Sequence, residues 1–141
     1  MNAAGLDFQS IDGVRYGQSN KDPRVDVVLA VDPALPRAIP PGGFDALDVE
    51  TLILSLGDKG TVPAALRWDE VATQAPTITL RHVEDTYHFA FISECSLMGK
   101  VVIGLAGDDN ICSDKGTRPR GEVHAEIAPV IVDFLSNALS K

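Results

Sequence analysis

Residues 25–32 read VDVVLAVD, and this run decides the fold class. From Val25 to Val31 the run is near-continuously apolar, and it stops at Asp32-Pro33. A strand with one wet face alternates apolar and polar residues, whereas one covered on both faces does not. Residues 49–56, VETLILSL, have the same character and end at Gly57-Asp58-Lys59-Gly60. A third β-branched run, TITLRHV, occupies 77–83. The first two strands are separated by PALPRAIPPGGF, residues 33–44, where four prolines and two glycines predict a loop.

Helices are expected between and after the strands. AALRWDEVATQ follows Pro63, a residue suited to a first helical turn, and predicts a helix to Ala75 with Leu66, Trp68 and Val71 inward. Residues 96–106 suggest a short helix. Val123, Ile127, Val130, Ile131, Phe134, Leu135 and Ala138 recur at three- and four-residue spacing, which predicts a helix over 121–139. Pro129 is expected to kink it or shift its start. These elements predict an α/β protein with a mainly parallel, buried sheet of three strands, or four if residues 6–16 add an edge. Residues 1–24 read as an irregular N-terminal segment and residues 25–141 as the α/β subdomain.

Composition bounds the function. The 141 residues suit one domain, and apolar residues make up 45%. A net charge of −8 argues against nucleic-acid or anionic-membrane surfaces, which need clustered Lys and Arg. No apolar run is long enough for a transmembrane helix. Residues 1–20 lack a basic stretch leading into an apolar core, so the chain reads as cytoplasmic as given, or periplasmic as a fragment of an exported parent. The two cysteines form no C-x-x-C pair, and no cofactor or metal is implied.

In open α/β sheets, ligands gather at the carboxyl ends of the strands. Asp32, Asp58 and His88 each follow one strand. An acid followed in the chain by a histidine matches the last two members of the Ser…Asp…His order of α/β-hydrolases. Either Asp58 or Asp32 could orient His88 as a general base. Tyr87 and Phe91, which flank it, are read as substrate contacts or as packing. A metal site from His82, Glu84 and His88 would require the loop after the third strand to fold back. His124, beside Glu122 and Glu126, reads as a surface group.

From about Arg24 to Lys141 the chain resembles the C-terminal half of an α/β-hydrolase of the dienelactone-hydrolase-like group. The resemblance is carried by DPRVDVVLAVDPAL at 22–35, GDKGTVPAA at 57–65, YHFAFISEC at 87–95, DNICSDKG at 109–116 and EVHAEIAPVIVDFL at 122–135. It implies ester or lactone hydrolysis, His88 at the catalytic histidine position, and a disulfide between Cys95 and Cys112. The family also needs a nucleophile on a strand-to-helix elbow, G-x-S-x-G or its cysteine equivalent, and no such motif occurs in these 141 residues. The nearest stretch, Gly17-Gln18-Ser19-Asn20-Lys21, lacks the second glycine and leads into Asp-Pro and a strand, so Ser19 reads as a turn or cap residue.

The expectation is therefore a truncated hydrolase-like chain, inactive alone, acting on a small-molecule ester when a nucleophile is supplied. The alternative is a non-catalytic binding or assembly module. Because the strand that would flank VDVVLAVD is missing, a homodimer or a complex with the complementary hydrolase half is expected at that edge.

Overall fold

The computed structural model describes residues 10–19, 21–40, 42–106 and 110–140. Three strands, β1 (Val27–Val31), β2 (Glu50–Leu56) and β3 (Ile78–Val83), form a parallel sheet in the order β1-β2-β3. Val31 lies opposite Leu54, and Leu56 opposite Val83. The central strand is the most deeply buried, with Leu54 fully covered. An α/β arrangement of parallel strands with flanking helices is thus observed.

Alternation along each strand feeds two cores. Leu52, Leu54, Leu56 and Val83 face one way and pack against Val123 and Ile127. Ile53 faces the other way, against Trp68 and Val71, with Ala30, Phe44, Ile78 and Leu80 around them. Phe44 comes from the β1–β2 connection, and Trp68 and Val71 from the β2–β3 connection. Both connections therefore cover the same face, as successive right-handed crossovers in one direction require. The chain after β3 covers the opposite face.

The N-terminal segment contributes no strand among the described residues. Gly13–Tyr16 is a one-turn helix, α1, capped by Asp12, whose carboxylate accepts from the amides of Val14 and Arg15. The part of the expected edge at residues 6–9 lies outside the described residues. Among its described residues the loop after β1 is irregular as expected, apart from a 3-10 turn at Pro36–Ala38.

The helix expected from Pro63 to Ala75 is replaced by a 3-10 turn, Ala64–Leu66, and a single turn α2, Asp69–Ala72. Arg67 is extended between them, with φ −79° and ψ 132°. The break turns the Trp68 indole inward, where its N–H donates to the Pro33 carbonyl at 2.7 Å. A side chain's tertiary anchor here overrides the helical tendency of its neighbours.

Two longer helices follow. Helix α3 spans Leu97–Ala106, begins where the Ser96 hydroxyl accepts from the Gly99 amide, and buries none of its residues. Helix α4 spans Arg120–Leu139 and lays Val123 and Ile127 on the sheet. Pro129 lies inside α4 without shifting its start. Ala125 and Pro129 are both exposed, so the carbonyl that loses its helical partner to proline sits on the solvent side. No described helix is long and apolar enough to cross a membrane.

Candidate active site

Asp32 sits one residue beyond β1 and crosses the end of the sheet. Its amide donates to the Leu54 carbonyl at 2.7 Å, extending the ladder by one bond. Its backbone then turns into the left-handed region, φ 45°, which acidic and amide residues enter more readily than most. This bend carries the carboxylate over the end of β2. One oxygen, Oδ1, accepts from the Leu56 amide at 3.0 Å, and the other, Oδ2, meets Nδ1 of His88 at 2.7 Å.

His88 opens a 3-10 turn, His88–Phe91, beyond β3. A carboxylate can only accept, so Nδ1 carries the hydrogen in the neutral ring and Nε2 keeps its lone pair. Among the described residues none hydrogen-bonds Nε2, and the side chain is 51% exposed. The rings of Phe89 and Phe91 stand edge-on to the imidazole, with centroids 5.0 and 6.0 Å away.

Asp58 is placed differently. Its Oδ1 accepts from the Asp85 amide at 2.8 Å, tying the β2 loop to the β3 loop, and no hydrogen bond joins it to His88. The geometry pairs His88 with Asp32. Gly57, between the two loops, has φ 102°, and a Cβ there would sit 3.1 Å from the Val62 side chain. A glycine is required at that bend.

Helix α4 holds the histidine turn from below. His124 donates from Nε2 to the Ala90 carbonyl at 2.9 Å, so it is half-buried and structural rather than the surface group its acidic neighbours suggest. Arg120 is only 3% exposed. Its guanidinium bonds Asp114 at 2.8 Å and the carbonyls of Ile111 and Ser93 at 2.9 and 3.2 Å. The Tyr87 hydroxyl donates to the Ser113 carbonyl in the same loop. Cys95 and Cys112 form a disulfide across 17 residues and enclose α3. Arg120 lies three residues before Val123 and seven before Ile127, on the same inward stripe. That spacing was the sequence signal that could have marked it as buried.

A cleft of about 350 Å³ opens beside the pair, lined by Asp32, Pro33, Gly57, Val62, Leu66, Tyr87 and His88 among others. Tyr87 contributes its ring to this wall while its hydroxyl is engaged elsewhere. Phe91, 38% exposed, packs on the imidazole and does not line the cleft.

The remaining candidates are apart. Ser19 accepts from the Lys21 amide at 3.4 Å, as a turn residue does, and lies with Val25, Phe44 and Val49 at the amino ends of the strands. His82 bonds Asp69 at 3.2 Å, and Lys59 reaches the same oxygen at 2.8 Å. The Lys59 ammonium, with help from His82, holds the Asp69 carboxyl below the usual carboxylate range. His82 and Glu84 line a second, polar cleft with Arg118, while His88 lines the first. The metal set of His82, Glu84 and His88 is therefore not assembled, and among the described residues no three His, Cys, Asp or Glu side chains are grouped to hold a metal.

No protein-family model, curated protein or solved structure matches the chain.

Proposed function

We propose that this chain is the acid–histidine portion of an α/β-hydrolase-type ester or lactone hydrolase, of the dienelactone-hydrolase-like kind. Asp32 is the orienting acid and His88 the general base. The observation that carries this reading is the 2.7 Å contact between Asp32 Oδ2 and His88 Nδ1 at the carboxyl ends of parallel strands. The opposite ring nitrogen is left with no partner among the described residues.

The chemistry follows from that arrangement. Nε2 takes the proton of a hydroxyl or thiol as its oxygen or sulfur attacks the ester carbonyl carbon. Asp32 stabilises the imidazolium so formed. The same proton passes to the leaving alkoxide, and water then repeats the sequence on the acyl intermediate to release the acid. No described hydroxyl or thiol hydrogen-bonds Nε2, and both sulfurs are joined to each other. The nucleophile is supplied from a segment other than those described.

Mixing the chain with a polypeptide bearing a G-x-S-x-G or G-x-C-x-G elbow tests this by p-nitrophenyl acetate turnover. The chain alone should match its His88→Ala variant. The mixture should turn over substrate, lose that activity with His88→Ala, fall by roughly 10³–10⁴-fold with Asp32→Asn, and keep its rate with Asp58→Asn. Rates indifferent to His88 in every mixture would end the catalytic reading.

A second reading, an assembly module, is favoured by the edge of β1. All five of its residues are half-buried, and among the described residues it pairs with β2 alone. An uncovered strand edge of this composition is a template for another strand, from a second copy or a complementary half. Val28→Lys should then abolish association while His88→Ala leaves it intact. A tight monomer at micromolar concentration, measured by light scattering, counts against this reading.

A further inference from the structure

We infer that the cleft beside His88 admits a neutral, largely apolar acyl or alkyl group of about ten non-hydrogen atoms, and rejects substrates that carry a carboxylate there. The inference rests on reading His88 and Asp32 as the reacting pair, and it adds the class of substrate. The size follows from a cleft of about 350 Å³, taking roughly 30 Å³ for each water-sized unit.

The walls set the polarity. Pro33 and Ala34 come from the β1–β2 connection, and Val62, Pro63 and Leu66 from the β2–β3 connection. None of these five can donate a side-chain hydrogen bond. Of the two threonines in the lining, Thr61 donates to the Asp58 carbonyl at 3.0 Å, and the buried Thr86 hydroxyl is left as a single donor, too few for a ligand with several hydroxyls. Apart from the imidazole, Asp32 is the one charged side chain in the lining, and neither Lys nor Arg contributes to it.

Cations close by in the chain are engaged elsewhere. The Arg67 guanidinium donates to the Val62 carbonyl at 2.8 Å. Lys59 is paired with Asp69 at 2.8 Å and Arg37 with Glu70 at 3.0 Å. A carboxylate entering the cleft would give up its water beside a like charge, with no Lys or Arg in the lining to pair it, the Lys115 ammonium standing over the Tyr87 ring at 5.8 Å. The net charge of −8 opposes its approach as well. A neutral ester meets neither cost and gains from burying its apolar part.

Two probes of equal size separate these cases: 4-methylacetophenone, a ketone that cannot be hydrolysed, and 4-methylbenzoate. Each is titrated into the full chain while the amide resonances of Gly57, Val62, Thr86 and His88 are followed. The ketone should shift these amides with a dissociation constant at least tenfold below that of the benzoate. Leu66→Arg, which places a cation on the apolar wall, should shrink or invert that ratio.

Benzoate binding as well as the ketone, or neither probe shifting these amides at millimolar concentration, would overturn the inference. Binding here requires no turnover. Failure of reconstituted hydrolysis with the ketone still preferred would sink the catalytic reading alone, and active hydrolysis with benzoate preferred would sink the substrate class alone.

Discussion

Replacing Asp32 by alanine should destabilise the fold far more than replacing it by asparagine. Its carboxylate is the acceptor for the Leu56 amide, and Leu56 is 3% exposed. Removing that acceptor leaves a buried N–H unpaired, at a cost of about 1–3 kcal/mol. The backbone at Asp32 has φ 45°, where an alanine Cβ is strained by about 1 kcal/mol without a polar side chain to compensate. The lost contact to the half-exposed His88 is taken over by water and adds little. The sum for Asp32→Ala is about 2–4 kcal/mol. Asparagine keeps an oxygen for the Leu56 amide and tolerates the left-handed bend, so Asp32→Asn should cost about 1 kcal/mol or less. Urea unfolding with unchanged slope resolves the two values. Equal destabilisation by both substitutions would show that the Leu56 bond and the bend do not hold this corner.

The two histidines near the site should show opposite neutral tautomers by ¹⁵N resonance. His88 should carry its proton on Nδ1, facing Asp32, and His124 on Nε2, facing the Ala90 carbonyl; identical patterns would refute both bonds. Arg120→Met should destabilise by about 3–5 kcal/mol, because it strands the buried side of Asp114 and two loop carbonyls; a loss under about 1 kcal/mol would mean that the loop is held by other contacts. The lowered pKa of Asp69, caused first by Lys59 and then by His82, means that its stabilisation is present above the unfolded value of about 3.9. It is lost as pH falls through the lower folded value. Asp69→Asn should therefore lower Tm at neutral pH and leave the acid end of the Tm–pH curve unchanged, whereas a uniform drop across pH would contradict this.

The strands were readable because double-sided burial writes itself as an unbroken apolar run, and β2 has that burial. β1 has the same kind of sequence with only half the cover. Its environment is therefore wetter than its composition suggests. The segment around Trp68 misled because its helix formers are local, while the indole's bond to Pro33 joins residues 35 apart. Asp32 and Asp58 were indistinguishable in the chain since both follow strands. What separates them is the left-handed bend at Asp32 and the hold of the Asp85 amide on Asp58. The short helix expected over 96–106 is found at Leu97–Ala106, but the sequence did not show that Leu97 and Leu105 would stand more than 80% exposed. Helical periodicity cannot register a neighbour that is missing.

The position of Asp32 at the last rung of the outermost strand works as a ruler. Adjacent strands lie about 4.8 Å apart. A newcomer running in the same direction beside β1 would finish its pleat one rung-width from the carboxylate, and its following turn would hang over the imidazole. A newcomer running the other way would bring the segment that leads into it there instead. The direction in which a guest strand docks would thus determine which of its two flanking loops, the leading or the trailing one, lies beside the pair, before any side chain is compared.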